Sequence, residues 1–142
     1  MSTESNKAIS RRFFEEVFGQ GKLAVADEII APDAVNLGPG TLPGMPTGPE
    51  GSKMLVTVYR NAFPDVHFTI DEQIAEGDTV VTRWTGHGTH KGELAGIPAT
   101  GKSATITGIG VSRIVNGKIV ESWGIFDQFG MMQQLGVIPT PR

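Results

Sequence analysis

The amino-acid sequence predicts an α+β fold in which a strongly curved antiparallel sheet forms a cone-shaped α+β barrel. Apolar residues in the N-terminal part recur at helical spacing, whereas those in the C-terminal part alternate with polar residues as in half-buried strands. Helices first and strands afterwards indicate an α+β fold, because a βαβ fold would alternate the two. We expect a sheet of four to six strands, three N-terminal helices on its concave face and a short C-terminal helix.

Three helices are predicted before the main sheet. The first spans residues 7–18, with Ser5 as its cap, and ends at two glycines. The second covers residues 23–30, stops before a proline and leads into a brief strand with the sequence DAVNL. The third begins at a proline and covers residues 49–63. Residues 38–51 contain five glycines and four prolines, which predicts a loop long enough to act as a lid.

A meander of four strands is predicted for the rest of the chain. Glu76-Gly77-Asp78 marks the first turn, and Asn116-Gly117 predicts a type I′ hairpin turn. The sequence QFGMMQQLG then predicts a short helix that ends at Gly136. The predicted strands cover residues 66–74, 79–90, 103–115 and 118–126. A curved sheet with helices on one face encloses an apolar cone, which is a natural pocket for a small molecule.

The composition indicates a single folded domain of residues 1–142, with residues 1–6 and 139–142 expected to be flexible. The chain is 39% hydrophobic and 19% charged, as in a folded globular domain. It has no cysteine, which is compatible with the reducing cytoplasm where we expect the protein to be. No long apolar run or secretory signal is present, so we expect no association with a membrane.

Charge and histidine spacing exclude two further classes of function. The net charge is -3 and the only pair of adjacent basic residues is Arg11-Arg12, so we expect no binding to nucleic acid. The histidines His67, His87 and His90 lack the helical spacing of a zinc site, so we expect no metal.

The most informative carboxylate is Asp127, in the stretch GKIVESWGIFDQFGMMQQLG. It ends the last predicted strand after Trp123 and Ile125, and it precedes the last predicted helix. An aspartate in this position either caps the helix or takes part in chemistry.

Two stretches give the sequence a family resemblance. FPDVHFTIDEQIAEGDTVVTRWTGHGTHKGELAGIPATGK and RIVNGKIVESWGIFDQFGMMQQLG resemble the SnoaL-like polyketide cyclases, which belong to the nuclear-transport-factor-2-like superfamily. The likeness covers nearly the whole chain. It implies an enzyme that closes a ring by intramolecular aldol condensation, without metal or cofactor, using one aspartate as acid and base. The residue that matches this aspartate is Asp127.

The resemblance and the residue chemistry together give a set of candidate site residues. A base that removes a proton beside a carbonyl works best with a raised pKa in an apolar pocket. The resulting enolate needs hydrogen-bond donors, for which Arg83, Trp84 and His90 are candidates. Asp127 and His90 are therefore the predicted catalytic residues. The predicted substrate contacts are Trp123, Trp84, Arg83, Phe14, Phe63 and Ile125. Within the Trp84 strand only one of Arg83 and Trp84 can face the cavity, and Trp84 inward is the simpler interpretation.

Other functions on this fold remain open. An isomerase or dehydratase would share the first proton transfer, and a dehydratase would pair His87 or His90 with Asp127. The epoxide-hydrolase arrangement lacks its second acid, because Thr85 stands two residues after Arg83. A non-catalytic binding or dimerisation module is the alternative of a different class. The expected partners are a small apolar carbonyl-bearing molecule and a second copy of the chain, since apolar residues occupy both parities of the final strands.

Overall fold

The computed structural model describes residues 2–138, and predictions for residue 1 and residues 139–142 lie outside that part of the chain. The elements are α1 (Thr3–Arg12), a π-helical segment (Phe13–Phe18), α2 (Leu23–Ile29), β1 (Ile30–Leu37), α3 (Pro49–Ala62), β2 (His67–Glu76), β3 (Thr79–Thr89), β4 (Ser103–Val115), β5 (Lys118–Phe126) and α4 (Gln128–Gln134). This order confirms the predicted α+β class.

The first helix begins earlier than the sequence predicts. Its cap is Ser2 and not Ser5, because Ser2 Oγ accepts a hydrogen bond from the Ser5 backbone N–H at 3.0 Å. Residues 3–6, which were expected to be flexible, are therefore part of the helix.

The end of the first helix is wound as a π-helix. Such a segment adds a residue to the turn and changes which side chains face a neighbouring element. It leaves Phe14 and Phe18 both in contact with Phe68 of β2, at ring-centroid distances of 6.0 and 4.6 Å.

The five strands form one curved, open sheet in the order β1-β5-β4-β3-β2. Strands β2 to β5 are antiparallel, as predicted, whereas β1 runs parallel to β5. A parallel pair needs a long crossover, which α3 and the meander supply. Asn116 and Gly117 have φ values of 52° and 77°, as the predicted type I′ turn requires. Register shifts leave one extra residue in β2, Asp71, and one in β5, Val120, and a sheet of this kind bends at such bulges.

Side chains alternate between a concave and an outer face of the sheet. On the concave face Val80, Ile114 and Ile119 are buried against helix residues such as Val56. The outer face carries the odd-numbered residues of β3 and β4, and it has no covering element among residues 2–138. The helices therefore shield one face only, and the cavity lies beneath them.

None of the helices in residues 2–138 is long and apolar enough to cross a lipid bilayer.

Asp65 ties the segment after α3 to the end of β3. Its carboxylate accepts hydrogen bonds from the Thr89 backbone N–H at 2.7 Å and from Thr89 Oγ1 at 2.8 Å. These bonds favour the ionised form and lower the pKa of Asp65 below its ordinary value.

We expect the Asp65 bonds to make part of the stability depend on pH. The folded-state pKa lies below the unfolded one, so the contribution is complete above about pH 4 and is lost as pH falls through the folded pKa. Asp65→Asn should therefore flatten the acid limb of a plot of Tm against pH. The control is Asp33→Asn, at an exposed carboxylate of β1. Identical acid limbs for the two variants would contradict a contribution of the Asp65–Thr89 hydrogen bonds to the pH dependence of stability.

Candidate active site

A cavity of about 160 Å³ lies between the concave face, the helices and the loop after β1. Its wall is mainly aromatic and aliphatic, and none of the described residues that line it is Asp, Glu, Lys or Arg. The aromatic members of the wall include Phe14, Phe18, Phe63, Phe68, Trp84 and Phe126. An engineered apolar cavity of about 150 Å³ accepts benzene, so this one has room for at least one ring.

Glycines on the concave face allow the aromatic wall to lie against the sheet. A Cβ at Gly108 would be 2.2 Å from Trp84 Cζ2, and one at Gly110 would be 3.3 Å from Phe14 Cζ. A Cβ at Gly124 would meet nothing within 4 Å, because the cavity opens beside it. Aromatic rings therefore fill the space above Gly108 and Gly110, whereas the space above Gly124 is open.

Trp84 is held by its aromatic neighbours. Its ring lies 5.1 Å from Phe68 and 6.1 Å from Phe14, measured between centroids. Such edge and tilted contacts fix ring orientation beyond what burial alone does. Trp84, Phe14 and Phe63, three of the predicted substrate contacts, therefore lie in the cavity wall.

The loop after β1 closes one side of the cavity. The Gly40 backbone N–H donates to the Gly124 carbonyl at 3.0 Å, which attaches the loop to the edge of β5. Thr41 and Met45 of this loop belong to the wall. The segment predicted to be a lid is therefore part of the site.

Arg83 points away from the cavity. It lies on the exposed outer face, with ion-pair distances of 3.9 Å to Asp71 and 3.5 Å to Glu72. This is the side-chain arrangement expected if Trp84 faces inward. The predicted contact of Arg83 with substrate is not supported by this position.

Trp123 and Ile125 border the cavity through β5, but their side chains belong to the outer face. In the register of β4 and β5, Trp123 is opposite Val111 and Ile125 is opposite Ile109. Both are about 40% exposed (39% and 41%). The side chains of β5 on the concave face come from the intervening residues, including Gly124. The sequence alone does not show which parity of β5 faces inward, because both carry apolar residues. The predicted substrate contacts of Trp123 and Ile125 stay predictions, since both residues belong to the cavity wall.

Asp127 caps α4 at the rim of the cavity. Its Oδ1 accepts a hydrogen bond from the Gly130 backbone N–H at 2.9 Å, and its own N–H donates to the Thr107 carbonyl at 3.0 Å. The residue is exposed and does not line the cavity, although its neighbours Phe126 and Met131 do. The cap predicted as the alternative role is therefore present, and a catalytic role for Asp127 stays a prediction.

His90 is fully buried outside the cavity wall. Its ring lies 5.4 Å from that of Phe63, and its Nδ1 accepts a hydrogen bond from the Thr100 backbone N–H at 3.2 Å. Nε2 has no partner within the described part of the chain. This position favours a structural role in holding the loop after β3, and the predicted catalytic role stays untested.

Tyr59 is the site residue that the sequence did not single out. It lies on α3 in the cavity wall, 5.9 Å from the ring of Phe126, and burial raises the pKa of its hydroxyl. The hydroxyl therefore stays protonated at neutral pH and can donate a hydrogen bond. Its helical spacing from Leu55, another wall residue, is the signal that could have found it.

Side chains that could bind a metal ion do not form a cluster in the described part of the chain. Within residues 2–138 no group of three or more His, Cys, Asp or Glu side chains could hold a metal.

Comparison with known proteins identifies the family. The protein-family model described as SnoaL-like polyketide cyclase matches residues 8–135 of the chain. The chain belongs to the SnoaL-like polyketide cyclase family. Aklanonic acid methyl ester cyclase DnrD of Streptomyces peucetius is 35% identical over 131 residues, covering 89% of each chain. Nogalonic acid methyl ester cyclase of Streptomyces nogalater is 34% identical over 121 residues, covering 84% of this chain and 89% of that one.

A solved structure shows the same fold. TsrD from Streptomyces laurentii superimposes with a TM-score of 0.87 at 25% identity, covering 97% of this chain and 99% of that chain. Relatives at about 35% identity that are named as cyclases make this family member a polyketide cyclase-like enzyme.

We expect Gly108 and Gly124 to differ sharply in how much an added methyl group destabilises the protein. Gly108→Ala should lower the free energy of unfolding by about 1–3 kcal/mol, because Trp84 cannot keep its place over a β-carbon. Gly124→Ala, the matched control in the adjacent strand, should change it by less than about 0.5 kcal/mol. Urea unfolding measures both. Equal losses at the two positions would contradict the packing described for Trp84.

Proposed function

We propose that this chain is a cofactor-independent cyclase that closes a ring in a neutral, aromatic polyketide ester by intramolecular aldol condensation. Two relatives are named as methyl ester cyclases, for aklanonic acid methyl ester and for nogalonic acid methyl ester. A compound of the aklanonic acid methyl ester type is the substrate class that we carry over to this chain.

The absence of charged side chains from the described cavity wall is the observation that supports this proposal best. An ionised carboxylate brought into such a wall would lose its hydration without gaining a partner. A methyl ester avoids this cost and still carries the carbonyl oxygen that the chemistry needs. The aromatic wall complements a planar ring system.

The proposed reaction conserves all atoms of the substrate. A base removes a proton from a carbon beside a carbonyl, and the resulting enolate carbon attacks a second carbonyl of the same molecule. A carbon–carbon bond forms, and the second carbonyl becomes an alkoxide. The conjugate acid of the base, or water, then protonates the alkoxide to give the cyclic alcohol.

Asp127 is the carboxylate that we propose as the base. It is next to the wall residue Phe126 and four residues before the wall residue Met131, so it stands at the rim. In the capping position its Oδ1 is bound to the Gly130 N–H. Catalysis therefore requires the carboxylate to turn from the cap toward substrate held in the cavity.

Tyr59 is the proposed donor to the enolate oxygen. Tyr59 belongs to the cavity wall, and its hydroxyl makes no hydrogen bond to another described residue. A donor already in place where negative charge develops stabilises the transition state more than the ground state.

An asparagine at position 127 tests the helix-capping role of Asp127 separately from its proposed role as a base. Asparagine caps helices as well as aspartate does, but it cannot accept a proton. We expect Asp127→Asn to unfold within about 1 kcal/mol of the wild type and to lose cyclisation by about 10²–10⁴-fold. Asp127→Ala should also lose about 1 kcal/mol of stability. Turnover of aklanonic acid methyl ester, followed by chromatography, and urea unfolding are the measurements.

A non-catalytic binding module is the second candidate function. It is favoured by one observation, that Asp127 is exposed and already engaged as a cap. It predicts that Asp127→Asn binds ligand as the wild type does and that neither protein turns it over. An isomerase or dehydratase would instead lose turnover in Asp127→Asn, but its product would be an isomer or an alkene and not a new ring.

A homodimer formed through the outer face of the sheet is part of the same proposal. Register places apolar side chains in one row across all five strands: Leu37, Trp123, Val111, Val81 and Ile74. Charged pairs flank the row, with Arg83–Glu72 on one side and Arg113–Glu121 on the other. An exposed apolar stripe with a charged border is typical of an interface between protein chains. A cytoplasmic location stays a prediction.

We expect a charge at the centre of this row to separate the dimer. Val111→Arg should weaken association by at least 100-fold, because an unpaired guanidinium would be buried between the chains. The control is Val137→Glu, at an exposed apolar residue after α4. Sedimentation equilibrium measures the association constant. A wild type that is monomeric, or a dimer that Val111→Arg leaves intact, would contradict the proposed interface.

A further inference from the structure

Three serines interrupt the apolar wall of the cavity. Ser112 on β4 is directly opposite Ser122 on β5, and both belong to the cavity wall. Ser10 enters the same wall from α1, on the helical side. The serines therefore reach the cavity from both of its layers.

Ser10 is a buried hydroxyl without a partner. The residue is 2% exposed, and its Oγ makes no hydrogen bond to any residue that the structure describes. A serine within a helix can point to solvent or bond back to the carbonyl one turn earlier, and Ser10 does neither. A buried hydroxyl left unpaired is unfavourable, so a ligand oxygen that paired with it would be favoured. Ser10 Oγ is covered in the empty cavity, and the wall beside it therefore has to shift by a small distance before a ligand oxygen reaches it.

Ser112 and Ser122 also keep their hydroxyls available. Both serines are half-buried, and neither forms a side-chain hydrogen bond to a residue within 2–138. A serine hydroxyl both donates and accepts, so the cluster suits an alcohol, a phenol or a carbonyl oxygen equally. No charged residue of the described wall stands beside them, which disfavours an ionised ligand group.

The serine pair lies far from the rim where Asp127 stands. Ser122 is five residues before Asp127 along β5, which corresponds to about 16 Å at ~3.3 Å per strand residue. A ligand that spans both places must therefore be extended, and a fused ring system of the proposed substrate class has this form. Its reacting carbonyl end would be at the rim and its opposite end at the serines.

We infer that Ser10, Ser112 and Ser122 form a binding subsite for a neutral oxygen substituent at the end of the ring system remote from the reacting carbons. The inference rests on the proposed function, because it assumes that the polycyclic substrate lies in this cavity. It adds a specificity determinant: substrates with a hydroxyl or carbonyl on the remote ring bind better than their deoxygenated analogues.

Two probes of equal shape test the subsite without requiring catalysis. They are 2-(hydroxymethyl)anthraquinone and 2-ethylanthraquinone, which differ only in an O–H in place of a methyl group and which cannot be cyclised. Dissociation constants are measured by isothermal titration for the wild type and for Ser10→Ala, Ser112→Ala and Ser122→Ala. Ser103→Ala, at an exposed serine at the start of β4, is the matched control.

We expect each cavity variant to weaken binding of the hydroxymethyl probe by about 3- to 10-fold, the effect of one neutral hydrogen bond. Binding of the ethyl probe should stay within about twofold, and Ser103→Ala should change neither. Ser10→Ala should not lower the Tm, because its hydroxyl loses no protein partner. This readout separates a ligand-binding hydroxyl from one that supports the fold.

Three results would overturn the inference. The first is an equal effect of the serine variants on both probes, the second is no effect on either, and the third is failure of both probes to bind the wild type. Failure of the proposed function has a different signature, because it appears as absent cyclisation of aklanonic acid methyl ester whatever the probes do. If the serine variants discriminate between the probes but the wild type does not cyclise aklanonic acid methyl ester, the subsite is supported and the proposed cyclase activity is contradicted.

Discussion

The contact between Trp84 and the backbone at Gly108 sets the depth of the cavity on which the rest of the site depends. A Cβ at position 108 would lie 2.2 Å from the indole, so the ring can lie against β4 only because glycine is there. Phe14 uses Gly110 in the same way, which lets the π-helical segment approach the sheet. At Gly124 the same lack of a side chain meets no ring, and that space is the cavity. The glycine positions thus decide which part of the concave face is filled and which part is open.

The candidate site has an interior without Asp, Glu, Lys or Arg in its described wall, and a rim that carries polar groups. Inside, aromatic rings and a few hydroxyls give shape and hydrogen bonds, whereas the described wall carries no charge. Charged groups stand outside it, and Asp127 is the one that chain connectivity brings to the edge. A carboxylate that caps a helix is held in place by a hydrogen bond and stays hydrated, whereas a carboxylate buried in the interior would need a partner. The base proposed at the rim is consistent with an otherwise apolar cavity. Under this proposal the cavity controls the position of the substrate and does not have to bury the base.

Much of the fold could be predicted from the sequence, because strand alternation and turn chemistry are local. The Asn116-Gly117 turn and the inward position of Trp84 relative to Arg83 are examples. The parallel pairing of β1 with β5 was not predictable, because a short strand does not specify its partner. The site was predicted less well for the same kind of reason: apolar residues on both parities of β5 hid which side Trp123 faces, and a burial decided by tertiary packing put His90 behind the wall. Tyr59 was overlooked, since its position in the cavity depends on how α3 crosses the sheet.

The proposed function requires that ligand binds on the concave face beside Trp84 and not on the outer face beside Trp123. The chain has two tryptophans, so Trp123→Phe leaves only Trp84 and Trp84→Phe leaves only Trp123. Fluorescence of each variant is titrated with 2-ethylanthraquinone. The structure predicts saturable quenching in Trp123→Phe, where the remaining indole lines the cavity. Quenching that saturates in Trp84→Phe but is absent from Trp123→Phe would place the ligand on the outer face and contradict the account.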